Sequence, residues 1–318
     1  MTEPTSDIDI VYLWVDGSDP AWQAKRNALV GGETMTAANC KGRYANNDEL
    51  RYSLRSVAEY APWIRRIFIV TDGQKPAWLD TSHPKIRLVD HSEILPEESR
   101  PCFNSVVIEH CLWRIPDLSE KFLLANDDML FAAPVKPSDF FTPDGLPIVR
   151  LNRKRFRKLS LMLRQKVLRK KLGNYNLTIK HAADLVARHT GVYFGSRTHH
   201  NIDSYLLSDY RHTFDTFAGE LTRTLTNHVR SDSDIQRQIY SYLPLAEHRA
   251  RLKYVNSRTS FRLQIHERDQ YARLEQLRPT FLCLNDSQMA SDDDRRQAAT
   301  WLASRFPTPS PFEIARSE

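Results

Sequence analysis

The sequence predicts an α/β fold, a largely parallel sheet flanked by helices. Three observations lead there. Short apolar runs at Ile8–Val15, Ile67–Val70, Ile86–Val89 and Phe122–Ala125 read as buried strands. Segments of helical periodicity separate them, and alternating strands and helices build parallel sheets. Each run also stops at an acidic or turn-forming residue, where a strand would hand over to a loop.

Taken in order, Ile8–Val15 is stopped by Asp16-Gly17-Ser18-Asp19-Pro20. Asn47 or Asp48 is placed to cap a helix carrying Leu50, Leu54, Val57 and Ala58 on one face. Ile67–Val70 ends at Thr71-Asp72-Gly73, and Ile86–Val89 at Asp90-His91. Asn104 or Ser105 caps the next helix, which turns Val107, Ile108, Cys111 and Leu112 inward. Phe122–Ala125 runs into Asn126-Asp127-Asp128. From about 151 to 251 the pattern is mostly helical, with a basic, Leu-rich stretch at Leu159–Leu172 and two or three helices within Ile202–Leu243. Two strands follow, Phe261–Ile265 and Phe281–Leu284, the second ending at Asn285-Asp286. Ser291 then caps a last helix to about Phe306. The expected organisation is one domain over 1–318. Residues 6–150 and about 252–306 form its α/β core, with a helical insertion at about 151–251.

Composition excludes several classes. A chain of 318 residues that is 41% apolar and 10% aromatic buries a core and is not disordered. No window approaches 18 uninterrupted apolar residues, so no transmembrane helix is expected. Met1–Asp7 is polar and acidic, unlike a secretory signal, and the expected location is the cytoplasm. Cys40, Cys102, Cys111 and Cys283 are scattered without a C-x-x-C pair, which argues for reduced thiols over a zinc or redox site. With ten glycines and no GxGxxG or GxxxxGK[ST] string, dinucleotide enzymes and P-loop kinases lose their main support.

Charge is unevenly spread. Gly145–Ala183 holds twelve Lys or Arg and no acid, leaving 33 basic against 39 acidic residues elsewhere, a net of −6. The segment has Phe156 and Tyr175 as its only aromatics, too few for the stacking platform of a nucleic-acid binder. A basic helix with Leu159, Met162 and Leu163 on one face suits an anionic membrane surface or a phosphate-bearing chain. Peripheral membrane contact through 150–171, at the inner face, is therefore expected.

The strand ends carry the chemistry. In open α/β sheets the ligand crevice lies outside the carboxyl ends of the strands. Asp16, Asp72, Asp90, Asp127 and Asp128 all follow predicted strands. A single such acid is an ordinary turn former, but adjacent carboxylates suit Mg²⁺ or Mn²⁺ that also grips phosphate oxygens.

Longer strings are recognisable. The run from Asp9 through Trp14-Val15-Asp16-Gly17-Ser18-Asp19-Pro20 resembles the first conserved region of the Stealth proteins. That family includes bacterial capsular polysaccharide phosphotransferases and the catalytic subunit of the lysosomal-enzyme N-acetylglucosamine-1-phosphotransferase. Asn47-Asp48-Glu49-Leu50-Arg51-Tyr52-Ser53-Leu54-Arg55-Ser56 is similar to the second region. It continues through Ile69-Val70-Thr71-Asp72-Gly73-Gln74, Phe103-Asn104-Ser105 and Ile108-Glu109 to Asn126-Asp127-Asp128-Met129. His200-Asn201-Ile202-Asp203 and His228-Val229-Arg230-Ser231 resemble the third region, with His199 or His200 as the family histidine. Cys283-Leu284-Asn285-Asp286 resembles the fourth.

The resemblance implies a Rossmann-like, GT-A-like sheet that binds a nucleotide sugar. It also implies transfer of a hexosamine 1-phosphate from a UDP-sugar of the UDP-GlcNAc type to an acceptor glycan hydroxyl, releasing UMP. On that reading Asp127 and Asp128 hold Mg²⁺ or Mn²⁺, and Arg230 meets the transferred phosphate. His200 or Asp128 takes the hydroxyl proton. Trp14, Asp16, Gly17, Arg51, Asn104, Ser105, Glu109, Asn126, Asn285 and Asp286 shape the substrate pocket, and His228 is structural. Two other readings stay open: a metal-dependent glycosyltransferase that releases UDP, and a polyanion-binding protein.

Overall fold

The computed structural model describes residues 7–30, 44, 46–153 and 172–315. Its centre is a five-stranded sheet. The strands are β1 (Ile8–Leu13), β2 (Ile67–Thr71), β3 (Ile86–Asp90), β4 (Lys121–Asn126) and a later edge strand, Asp203–Leu206, in the order β3-β2-β1-β4-edge. The first four are parallel; the edge strand pairs antiparallel to β4. β1, β2 and β4 are apolar along most of their length because helices cover both faces.

Alternate residues choose the face. Val11, Phe68, Val70, Phe122 and Leu124 pack with Val107 and Cys111 of helix Ser105–Cys111. Ile8, Ile10, Tyr12, Ile67, Ile69, Leu123 and Ala125 pack instead with Leu50, Leu54 and Val57 of helix Glu49–Tyr60. Each such side chain contributes about 1.5–3 kcal/mol by leaving water. Asp9 is the polar interruption in β1. Its buried carboxylate is satisfied by Arg65 at 2.6 and 2.9 Å and by the amides of Arg66 and Ser119.

Numbered along the chain, the helices up to β4 are α1 (Pro20–Val30), α2 (Glu49–Tyr60), α3 (His91–Ile94) and α4 (Ser105–Cys111). Asn104 caps α4 as the sequence suggests, accepting from the amide of Val106. α2 starts differently. Asp48 precedes it with φ 62° and makes no side-chain cap, while the Glu49 carboxylate takes the amide and side chain of Asn47, each at 2.7 Å.

After β4 the chain turns through Asp127-Asp128 into β5 (Met129–Phe131), an edge of a second sheet. Past β6 (Ile148–Asn152) come α5 (Asn174–Thr190), β7 (Asp203–Leu206), α6 (Leu207–Thr216), α7 (Ala218–Leu225), α8 (Ile239–Ala246) and β8 (Arg251–Val255). Strands β9 (Ser260–Gln264) and β10 (Phe281–Asn285) flank α9 (Asp269–Leu277), and α10 (Asp292–Arg305) follows. β10 pairs antiparallel with β5 and parallel with β9; β6 pairs parallel with β8. Ser291 caps α10 in a reciprocal box with Asp294.

The segment expected to be mostly helical thus holds four helices among the described residues, and also β7, which completes the central sheet. Asp203-Ser204-Tyr205-Leu206 alternates too weakly to announce a strand, since its buried polar residues are satisfied by neighbours rather than excluded. The basic helix expected at Leu159–Leu172 falls almost wholly outside the described residues. Among them, no helix is long and apolar enough to cross a membrane. Cys102, Cys111 and Cys283 are free and buried.

Candidate active site

The chain leaves β1 on one side, toward β2 and β3, and returns on the other as β4. At that reversal a crevice opens beyond the strand ends. Leu13 lies opposite Asn126 in the register. A cavity of about 480 Å³ occupies the crevice, floored by Leu13, Trp14 and Val15 after β1 and by Asn126, Asp127 and Asp128 after β4. The end of β10 closes one side with Leu284, Asn285 and Asp286. Strand pairing brings the two acidic turns together, because the amide of Leu284 donates to the carbonyl of Asp128 at 2.9 Å.

One wall is acidic. Asp128 Oδ2 accepts from Cys283 Sγ at 3.3 Å, whereas its buried Oδ1 has no partner. Burial pushes the Asp128 carboxyl up to about 6. Asp127 is held well above the ordinary carboxylate range by burial and then by the charges of Asp128 and Glu49. Glu49, first residue of α2, is pushed up to about 7, mostly by burial and in part by Asp128. Three carboxyls, Glu49, Asp127 and Asp128, thus line the cavity with proton affinities above the usual carboxylate range.

Arginines line the same cavity. Arg230, in the loop after α7, donates through Nη2 to Ser105 Oγ at 2.9 Å, while its Nε is buried without a partner. Arg237 is buried just before α8, with Nη1 3.4 Å from Glu109 and Nη2 3.3 Å from Asp203. Burial raises the Glu109 carboxyl despite the opposing pull of Arg237 and Arg230. Arg262 alternates along β9 with the core residues Phe261 and Leu263, which leaves its side chain on the cavity side.

The structure separates the two histidines. His199 is inside, its Nε2 3.2 Å from both Asp203 Oδ1 and the carbonyl of Ile202, its ring edge-on to Phe281. His200 turns the other way at φ 55° and lines the cavity beside Tyr175. Burial, then Arg262 and Arg237, hold its imidazole down at about 3, so it is neutral near pH 7. The far end of the cavity is aromatic: Trp22 packs against Tyr44 at 5.1 Å and Phe103 at 5.2 Å, all three in the lining.

Ten residues read from the sequence therefore meet in one cavity: Trp14, Ser105, Glu109, Asn126, Asp127, Asp128, His200, Arg230, Asn285 and Asp286. Two of these are held by residues outside the lining. Asp286 forks onto Arg295 at 2.7 and 3.0 Å, and the Asn285 amide pairs with that of Gln264 at 2.8 Å. Four others stand outside the lining and support it. Asp16 folds its own loop, accepting from Ser18 and Asn46. Gly17 lets that loop touch Tyr44, to whose carbonyl its amide donates at 2.9 Å. Asn104 ties the Arg230 loop down by donating to Asn227 and Val229 carbonyls and to Asp234. Arg51 faces away from the cavity, bonded to Glu313 at 2.6 Å. His228 is structural, its Nδ1 2.7 Å from the carbonyl of Pro101.

Sequence reasoning missed Glu49, Trp22, Tyr44, Phe103, Tyr175, Arg237 and Arg262. Arg262 had a signal, a cation alternating with core residues in a predicted strand. Arg237 had none, since it lies in a polar run that reads as a helix surface.

Three conserved regions of the Stealth proteins match this chain: region 1 over residues 6–33, region 2 over 43–149 and region 4 over 272–318. A capsular polysaccharide phosphotransferase of Neisseria meningitidis serogroup B is 33% identical over 309 residues, covering 91% of this chain and 79% of that protein. The chain belongs to the Stealth family. An exopolysaccharide phosphotransferase of Nocardia farcinica (strain IFM 10152) is 36% identical over 98% of this chain and 62% of its own length. Another, from Streptomyces coelicolor, is 53% identical over 44% of this chain and 24% of its own length. The chain thus spans less than two thirds of these last two relatives. Among solved structures, the galactosyltransferase LgtC in complex with donor and acceptor sugar analogs superposes with a TM-score of 0.46 at 13% identity, covering 95% of this chain and 96% of that one. In this Stealth chain the three matched regions build the floor and the acidic wall. His200, Arg230, Arg237 and Arg262 lie outside them.

Proposed function

We propose that this chain is a phosphotransferase that moves a hexosamine 1-phosphate from a UDP-sugar of the UDP-GlcNAc type to a hydroxyl of an acceptor glycan. The observation that supports this most is the pairing within one cavity of a carboxylate wall, with an unpartnered buried oxygen on Asp128, and an arginine wall of Arg230, Arg237 and Arg262. Such a site suits a group carrying two phosphates. The names of the family relatives favour phosphate transfer over simple glycosyl transfer.

Asp127 and Asp128 fit a divalent cation. Their donors are hard oxygens, one of them without a partner, and burial holds both carboxyls above the usual carboxylate range, with the charges of Asp128 and Glu49 adding to it at Asp127. Among the described residues no group of three His, Cys, Asp or Glu forms a complete ligand set. Mg²⁺ does not need one, since it binds through one or two carboxylates and keeps water and phosphate oxygens for the rest. When bound it would neutralise charge on the donor phosphates.

The chain's own residues do the remainder. Arg230 and Arg237 present N–H donors to the phosphate oxygens, and their charge offsets what develops as the bond to UMP breaks. The acceptor hydroxyl oxygen attacks the β-phosphorus, the P–O bond to UMP breaks, and the hydroxyl proton goes to His200. Its imidazole is neutral and has a lone pair to accept with. Burial is the main cause of its low basicity, and an anionic donor beside it would offset the part due to Arg262 and Arg237. Trp22, Tyr44 and Phe103 offer ring faces for the base.

The test is product analysis. Purified protein, UDP-GlcNAc, Mg²⁺ and an oligosaccharide acceptor should yield UMP and a sugar linked through a phosphodiester. Release of UDP with a phosphate-free linkage would overturn the reading in favour of a glycosyltransferase.

A further inference from the structure

The acid-free segment Gly145–Ala183 does not stand alone. Residues 248–266 also contain no Asp or Glu and carry Arg249, Arg251, Lys253, Arg258 and Arg262. The fold joins the two. β6, from the first segment, pairs in parallel with β8, from the second, setting Arg150 opposite Lys253 and Leu151 opposite Tyr254. Of the first segment's cations, Arg150 is buried against Phe140 and Phe281, whereas Arg153 reaches the surface beside β8.

Among the described residues no strand covers the outer edge of β8, and it is the least buried strand. Arg251, Lys253 and Arg258 are exposed and form no ion pair among the described residues, whereas Arg249 is engaged by Asp209 and Glu247. Tyr254 is 49% exposed, an unusual position for an aromatic ring, and Arg153 lies over it at 5.6 Å. Two chain connections lead from this patch toward residues of the cavity lining. Asn152, next to Arg153, bonds to the carbonyls of Arg197 and Thr198 just before His200, and the turn after β8 leads into β9 with Arg262.

We infer that the outer edge of β8, with the Arg153–Tyr254 pair on one face and Arg251 and Lys253 on the other, is a docking edge for an anionic, phosphate-bearing glycan. An exposed ring stacks on a sugar face, and flanking Arg and Lys meet phosphates at intervals along a chain. An anionic membrane is disfavoured because Tyr254 is the one large apolar side chain exposed on β8, too little to insert. The role in holding the acceptor rests on the transferase reading; the binding itself does not.

Phosphorylated dextran and neutral dextran of equal length are the probes, titrated against full-length protein at low and at physiological salt. Wild type should bind the phosphorylated form alone, with affinity falling as salt rises. The triple variant Lys253→Ser/Tyr254→Ala/Arg258→Ser should lose at least about tenfold in affinity, equivalent to 1.4 kcal/mol. Tyr254→Phe should keep it, and affinity for UDP-GlcNAc should not change in either. Retention within twofold by a folded triple variant overturns the proposal. So does binding to phosphatidylserine vesicles but not to phosphorylated dextran. So does a triple variant that self-associates with dextran binding intact, because the cations would then only guard a strand edge. If dextran binds as expected but no sugar phosphate is transferred, the transferase reading fails and the docking edge stands.

Discussion

Arg55 and Glu313 lie 258 positions apart and meet in a two-bond fork, Nε to Oε1 at 2.7 Å and Nη2 to Oε2 at 2.8 Å. Arg51 adds a third bond to the same carboxylate, and the amide of Ser310 a fourth. The fork fastens the tail to α2, whose first residue is Glu49 on the cavity wall.

Replacing Glu313 should therefore loosen α2 without touching the cavity. Glu313→Gln leaves the buried Arg55 without its counter-charge, a loss of about 3–5 kcal/mol. The Glu313 carboxyl, although burial opposes it, is drawn down to about 2 by Arg55, the Ser310 amide and Arg51. Its contribution is thus complete above the unfolded value of 4.5 and disappears as pH falls toward 2. Thermal melts of wild type and variant should differ most near pH 7 and converge in acid; a constant gap would refute this.

The acidic wall predicts the reverse slope. Glu49 and Asp128 bind protons more tightly folded than unfolded, so their effect on the ligand-free protein is to lower stability as pH rises from about 4 to about 7. Glu49→Gln should flatten that decline. Mg²⁺ should raise the melting temperature more at pH 8 than at pH 5.5, because the ion competes with protons for the same oxygens. Equal Mg²⁺ shifts at both pH values would argue against a carboxylate-held cation.

Asp127→Asn and Asp128→Asn each remove one like charge from that wall. Turnover should be lost while the ligand-free melting temperature holds or rises. Near-native turnover in both variants would remove the pair from the mechanism.

Arg237→Lys keeps the positive charge between Glu109 and Asp203 but gives up the guanidinium fork. A charged hydrogen bond is worth about 1.5–3 kcal/mol, so kcat/KM should fall by roughly ten- to a hundredfold with folding intact. Arg237→Met would strand two buried carboxylates and is the less informative change. Unchanged kinetics in the lysine variant would confine Arg237 to a structural role.

Gly17→Ala tests the close approach of two loops. A methyl there would sit 2.3 Å from the carbonyl oxygen and 2.4 Å from the Cβ of Tyr44. The strain, about 1–3 kcal/mol, should lower the melting temperature and weaken UDP binding together, because Tyr44 lines the aromatic end. A variant with native affinity would show that Tyr44 has no part in binding.

The central sheet was legible because β1, β2 and β4 are buried on both faces and so read as nearly unbroken apolar runs. The acidic turns were legible because Asn-Asp-Asp after such a run has few structural uses. Arg51 stands outside the lining, and Asp286 within it is already paired, for one reason: each has a partner, Glu313 or Arg295, that is fixed only by tertiary folding. β7 was hidden because Asp203 and Ser204 are buried polar residues with bonds supplied by Arg237 and the carbonyl of Ile148. Tyr254 and its cations carry no local signal, because no local pattern says that residues 148–152 and 251–255 run side by side.

The turn at Asp127-Asp128 delivers β5 to a sheet whose other strands, β9 and β10, come more than a hundred residues later. On the ribosome, synthesis runs from the N-terminus, so β1 to β4 can pair while Met129–Phe131 still has no strand beside it. During that interval an apolar edge, and the carboxylates next to it, face solvent unshielded. Such a nascent chain is a natural client for chaperones, and slowing its synthesis beyond residue 131 should increase its aggregation rather than its yield.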